Sequence, residues 1–243
     1  MDKEIEGESL KKRNRLDPSS YLSTAEVYFL WYFMQGSIMS PITRQKLRNS
    51  WGFCQRHMLG WLLIESAFFH NYLHGPSILL ADLIDRASYC FKFNPIPSIL
   101  AIRLRTKEEC MMCSLGYDIN REGFITEEIL AQSRDTSYLL KFAMETEKFW
   151  LKSLCNKCFP DRSNKNILCR PHLIDELLHG NYSAIDNQKA YIQYLNSQIS
   201  FYSKSFQWER RHTETLECKA SLISAACWLK GWNEFIDFYS PRS

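Results

Sequence analysis

Eight residues of this chain are spaced to grip metal. Cys110-Met-Met-Cys113 and Cys155-Asn-Lys-Cys158 are Cys-x-x-Cys pairs, and Cys54-Gln-Arg-His57 and Cys169-Arg-Pro-His172 are Cys-x-x-His pairs. In a tight turn, two side chains with two residues between them converge on one point. Zinc takes four ligands in a tetrahedron, and thiolate with imidazole suits it. Two such hooks complete one closed site, so the four provide for one or two structural zinc ions. Gathering and deprotonating the ligands couples metal binding to folding.

The second half holds the denser pattern. Cys155, Cys158, Cys169 and His172 form C-x2-C-x10-C-x2-H, joined by the turn-rich FPDRSNKNIL. Free cysteine often packs as a small apolar side chain, but that does not account for two hooks so close together in a polar stretch. Cys54 and His57 have to meet Cys110 and Cys113 across an intervening pair of helices. A rival pairing joins Cys110 and Cys113 to Cys169 and His172, leaving Cys155 and Cys158 spare. Spacing alone leaves both pairings open. Cys90, Cys218 and Cys227 have no hook partner and are expected in the core. Nine cysteines, an odd number, argue against a complete disulfide framework.

Other chemistry is thinner. His70 and His74 lie four apart with Glu65 before them, a set that is more often surface or core than ligand. The Cys-x-x-Cys pairs could cycle between thiol and disulfide, but neither sits in a βαβ setting. No P-loop, dinucleotide-binding glycine fingerprint, nucleophile elbow or His-Glu-x-x-His is present. Closed Cys3His sites leave zinc no open position for water.

The hooks need elements to carry them, and composition points to helices. Apolar residues make up 45% of the 243, enough for a core, while only 9 glycines and 8 prolines are available for turns. A helix is expected from Ser23 or Thr24, with Glu26 placed to cap it, and another from Pro41. Ser50-Trp51-Gly52-Phe53 reads as a turn into the first hook. Helix is predicted from His57 to about His74, broken by Gly75-Pro76, then on to Tyr89. A helix over 98–109 delivers Cys110. A long helix over 126–154, interrupted near Asp135, carries the stripe Leu139, Phe142, Ala143, Thr146, Phe149 and Trp150. Helices to Leu178, over 184–206 and over 213–238 complete the chain. The Asn94–Pro97 connector suggests two lobes, 21–94 and 98–240, after a flexible tail over 1–20. The expected class is therefore a mainly α, two-lobed helical bundle with zinc-knuckle or ribbon-like turns.

A faint repeat supports two lobes. Cys54 and Cys169, and likewise His57 and His172, are offset by 115 residues (169 − 54 and 172 − 57), and an apolar helix follows each pair. The segment SPITRQKLRNSWGFCQRHMLGWL resembles the first unit of a group of uncharacterised prokaryotic proteins. Those carry C-P-x-C, a helix and D-P-x-x-R-x-x-L-x-x-S-x-G-F-C-x-x-H, repeated with G-L-C-x-x-H. Pro41, Arg44, Leu47, Ser50, Gly52, Phe53, Cys54 and His57 match the first unit. Cys110, Cys113, Leu168, Cys169, Pro171 and His172 match the second. The resemblance implies a zinc-binding helical fold and no established activity. It departs where the first Cys-x-x-Cys is missing and where Cys155 and Cys158 are extra.

Function follows by exclusion. A non-catalytic, zinc-stabilised interaction or adaptor protein with a protein partner is the first expectation, and exposed Trp208, Trp228 or Trp232 would favour it. A nucleic-acid partner is the alternative. Arg44, Lys46, Arg48 and Arg56, with Lys157, Arg162, Lys165 and Arg170, would then flank a phosphate track. The net charge of +3 is too mild to demand one, and the run Lys11, Lys12, Arg13 and Arg15 lies in the polar tail. A thiol redox or metal-sensing role ranks third. The polar start MDKEIEGESLKKRN has no apolar signal region, and no apolar run is clean enough for a membrane span. The expected location is the cytoplasm, where thiols stay reduced.

Overall fold

The computed structural model describes residues 21–92, 96–160 and 167–239. The 1–20 tail with its basic run, Arg162, Lys165 and the middle of FPDRSNKNIL lie outside the described residues. Among the described residues there are no strands. Helices α1 (Thr24–Met34), α2 (Pro41–Asn49), α3 (Gln55–Phe68) and α4 (His74–Cys90) come first. Then follow α5 (Pro97–Leu104), α6 (Met111–Ser114), α7 (Glu127–Ser133) and α8 (Ser137–Trp150). The last four are α9 (Arg170–Leu178), α10 (Ile185–Lys204), α11 (Leu216–Lys230) and α12 (Asn233–Tyr239).

Local chemistry sets the boundaries. Ser23 and Glu26 form a capping box at the start of α1, as the sequence predicts. Pro41 opens α2, where its missing N–H costs nothing. The predicted helix to His74 stops early, because His70 and Asn71 turn left-handed at φ 48° and 68°. Gly75-Pro76 does not break a helix. Both residues sit in the first turn of α4, where proline is tolerated. Glu65 on α3 caps that turn, accepting the Gly75 N–H at 2.8 Å. The interruption at Asp135 is present, and its carboxylate accepts the Ser137 N–H. The helix expected to Glu109 ends at Leu104. The one expected over 213–238 is cut at Gly231, whose φ of 109° no other residue type adopts readily.

Helix α3 is buried on all sides from His57 to Ala67, the mark of a central helix. It contacts α1, α7, α8 and α12. Helix α11 is likewise enclosed, lying against α10, α8 and α4. One apolar core runs from Tyr21 to Ile236 and includes Trp51, Trp61, Trp150, Trp228 and Trp232. Cys90, Cys218 and Cys227 are buried in it, as expected. Among the described residues no helix is long and apolar enough to cross a membrane.

Candidate metal centres

The four hooks come together in pairs. Cys54, His57, Cys110 and Cys113 form one group and Cys155, Cys158, Cys169 and His172 the other, with the ligand atoms of each group within 4.8 Å of one another. The rival pairing of Cys110 and Cys113 with Cys169 and His172 does not occur. His70, His74 and Glu65 form no such group: His70 sits in the left-handed turn and His74 starts α4.

Both groups use the same local device. Cys54 and Cys169 are the N-cap residues of α3 and α9, each in extended backbone conformation. The histidine then falls in the first helical turn, turned back toward the cysteine. Cys110 caps the short α6 in the same way and places Cys113 within it. Segment 105–108 is laced to the end of α2, which carries Cys110 to Cys54. Lys107 N–H donates to Asn49 O at 2.9 Å, Trp51 Nε1 to Arg105 O at 3.0 Å, and Asn49 Nδ2 to Glu108 Oε1 at 2.8 Å. In the second centre Asn156 N–H donates to Ile167 O at 3.0 Å and holds the two hooks together.

The spacings fit a tetrahedral ion. Zinc bonds of about 2.3 Å to sulfur and about 2.0–2.1 Å to nitrogen put sulfurs ~3.8 Å apart and sulfur ~3.6 Å from nitrogen. In the first centre His57 Nδ1 lies 3.2, 3.4 and 3.5 Å from the sulfurs of Cys54, Cys110 and Cys113. In the second, His172 Nδ1 lies 3.3, 3.5 and 3.2 Å from Cys155, Cys158 and Cys169. The sulfur pairs Cys54–Cys113 and Cys158–Cys169 are 3.8 and 3.9 Å apart.

Three thiols and an imidazole have no good way to satisfy one another without a cation. In each group one thiolate is stabilised by its neighbours' S–H groups while others are pushed up. Hydrogen bonding from Cys54 draws Cys110 down to about 3, and Cys54 is raised in return. Cys155 is drawn down by hydrogen bonds from Cys158 and Cys169, and the hydrogen bond to Cys155 in turn pushes Cys158 up to about 11. A divalent cation removes this conflict by accepting all four donors at once.

The first centre also has an outer layer that the sequence did not reveal. Glu26, fully buried, places Oε1 2.8 Å from His57 Nε2. The carboxylate accepts the Nε2 proton, which leaves Nδ1, facing the sulfurs, as the nitrogen available to a metal. Arg56 clamps the same carboxylate with contacts of 2.9 and 2.8 Å, and Ser23 N–H adds one at 2.7 Å. Burial alone would raise the Glu26 pKa, but the hydrogen bonds from Arg56, His57 and Ser23 hold it down at about 2. The capping signal of Glu26 was legible, but its reach to His57, across 31 residues, was not.

The basic residues near the hooks are mostly committed elsewhere. Arg44 and Arg48 pair with Asp82, Arg56 with Glu26 and Lys157 with Glu176. Arg170 is buried and donates to Leu229 O at 2.9 Å and Leu104 O at 2.7 Å. Burial lowers its pKa to about 10. Arg86 and Arg170 lie over the Trp51 ring at 4.0 and 5.3 Å. Trp228 and Trp232 are core, whereas Trp208 is 77% exposed.

Comparison with protein-family models, with curated proteins and with solved structures finds no match for this chain.

Proposed function

We propose that the chain is a non-catalytic, zinc-stabilised helical protein that works by binding another protein. The observation that carries this is the closure of both centres: each offers four protein ligands at tetrahedral spacing. A zinc ion held so has no position left for water or substrate, and serves to hold elements together. Cys54, His57, Cys110 and Cys113 would hold one ion, and Cys155, Cys158, Cys169 and His172 the other. A crevice between α3 and α12, lined by Met58, Leu59, Leu62 and Phe235, has about 20 Å³ of free space. That is room for little more than a water.

Likeness to the prokaryotic repeat proteins belongs to this proposal. It is supported by the matching N-cap geometry of Cys54 and Cys169, as is a two-lobed origin of the bundle. A cytoplasmic location is supported by nine free cysteines, which a reducing compartment preserves. The exposed Trp208, with Arg211 4.7 Å from its ring, is the tryptophan best placed for a partner.

Thermal unfolding with and without a strong chelator tests the zinc role. A lower melting temperature that zinc restores is expected, and an unmoved one contradicts it. A nucleic-acid role has less support, since Arg44, Arg48, Arg56, Lys157 and Arg170 are already engaged. A gel shift at low salt checks it: no retardation is expected, and salt-sensitive retardation would favour the alternative.

A further inference from the structure

The two centres use the same ligand set but turn opposite faces to solvent. In the first, the imidazole is the hidden ligand: His57 is 1% exposed and locked to Glu26, while Cys113 is exposed and Cys54 half-buried. In the second, all three sulfurs are hidden, with Cys155, Cys158 and Cys169 at 0, 7 and 1% exposure. There the half-buried His172 is the ligand nearest solvent. Thiolate is a nucleophile and the target of oxidants and soft electrophiles, and reaction requires access. A metal-bound imidazole, with its lone pair engaged, is not such a target.

From this asymmetry we propose that the first centre is a thiol-modification site, with Cys113 as its point of entry and hydroperoxides or soft electrophiles as its reagents. The second centre is inert to the same reagents. The inference rests on the zinc reading above and adds a reactivity to it.

The chemistry balances with peroxide as the only oxidant. Cys113 thiolate attacks one peroxide oxygen. The S–O bond forms, the O–O bond breaks, and hydroxide leaves. The sulfur gives up two electrons and becomes a sulfenic acid. Cys54, whose sulfur lies 3.8 Å away, then attacks the Cys113 sulfur as a thiolate. A disulfide forms and a second hydroxide leaves. Two of the four ligands of the first centre are consumed, so its hold on an ion is lost. Cys54 caps α3 and Gln55 follows it, so the change is delivered to the start of the central helix.

Zinc-loaded full-length chain, its metal content measured beforehand, is titrated with hydrogen peroxide, and in a parallel arm with N-ethylmaleimide. Zinc release is followed with a chromogenic chelator, and the modified cysteines are mapped by mass spectrometry. The expected result is Cys113 modified first, a Cys54–Cys113 disulfide in the peroxide arm, and loss of one zinc ion while the second stays. Cys155, Cys158 and Cys169 reacting as fast as Cys113, or both ions leaving together, overturns the inference and leaves the zinc reading intact. A chain found without zinc at the outset overturns the reading on which it rests, and with it this inference.

Discussion

Gln55 and Arg170 hold the same place in their hooks, directly after the cysteine, and they grip neighbouring carbonyls of one helix end. Gln55 Nε2 donates to Lys230 O at 2.8 Å and Arg170 Nε to Leu229 O at 2.9 Å. The last carbonyls of a helix have no partner within it, so each hook supplies one to α11. The backbone N–H of Trp232, just beyond, bonds to the Cys158 sulfur. Both candidate metal centres are therefore tied to the α11–α12 junction.

The tie predicts a graded response to mutation there. Gly231→Ala forces a residue with φ 109° to carry a Cβ that would lie 2.7 Å from Gln55 Nε2. It should cost ~1–3 kcal/mol. Gln55→Ala leaves the Lys230 carbonyl without its cap and should cost about 1 kcal/mol. Urea unfolding of the variants checks both, and a Gly231→Ala chain as stable as the parent contradicts the geometry.

Glu26 should control only the first centre. Loss of an outer carboxylate behind a metal-bound histidine weakens binding by about 10–100-fold. In Glu26→Gln, competition with a chromogenic chelator should show one weakened site and one unchanged. Two unchanged sites would remove Glu26 from the metal account.

Buried carboxyls give two opposite pH dependences. Burial pushes Glu65 up to about 8 from an ordinary 4.5. The folded chain then keeps a proton that the unfolded chain releases, so this contribution to stability is full below 4.5 and lost as pH rises toward 8. Glu26, held at about 2, works the other way, stabilising above its ordinary pKa and ceasing to do so as pH falls toward 2. Glu65→Gln removes the first linkage, so its urea midpoint should fall less between pH 5 and pH 8 than that of the parent. An equal fall would show that Glu65 ionises normally.

The tryptophans should separate cleanly. Trp232 is fully buried and stacked on Trp150, so Trp232→Ala should cost ~3–5 kcal/mol. Trp208→Ala should change stability by less than about 0.5 kcal/mol. If Trp208→Ala unfolds the chain, Trp208 is structural and is not the partner-facing aromatic proposed above.

Much of the site was legible because metal hooks are local. Two residues between members of a hook, and a helix following each Cys-x-x-His pair, are written in adjacent positions, so the grouping of Cys54 with His57 and of Cys169 with His172 could be read directly. The capping box at Ser23 and Glu26 and the interruption at Asp135 were readable for the same reason. Which hook meets which was not, because it depends on the path of residues 105–108 along the end of α2. Nor was the turn at His70 and Asn71, since neither residue type demands a left-handed backbone. Gly75-Pro76 misled because the same pair that ends one helix can begin another. Cations near the hooks looked free in sequence, yet their carboxylate partners, Asp82 and Glu26 among them, arrive from distant helices.

Elemental analysis of purified chain, with Cys169→Ser measured beside it, bears most directly on the two-centre account. Two zinc ions per chain are expected in the parent, and a single ion, held by Cys54, His57, Cys110 and Cys113, in the variant. A parent chain carrying no transition metal, or a variant that keeps as much as the parent, would contradict it.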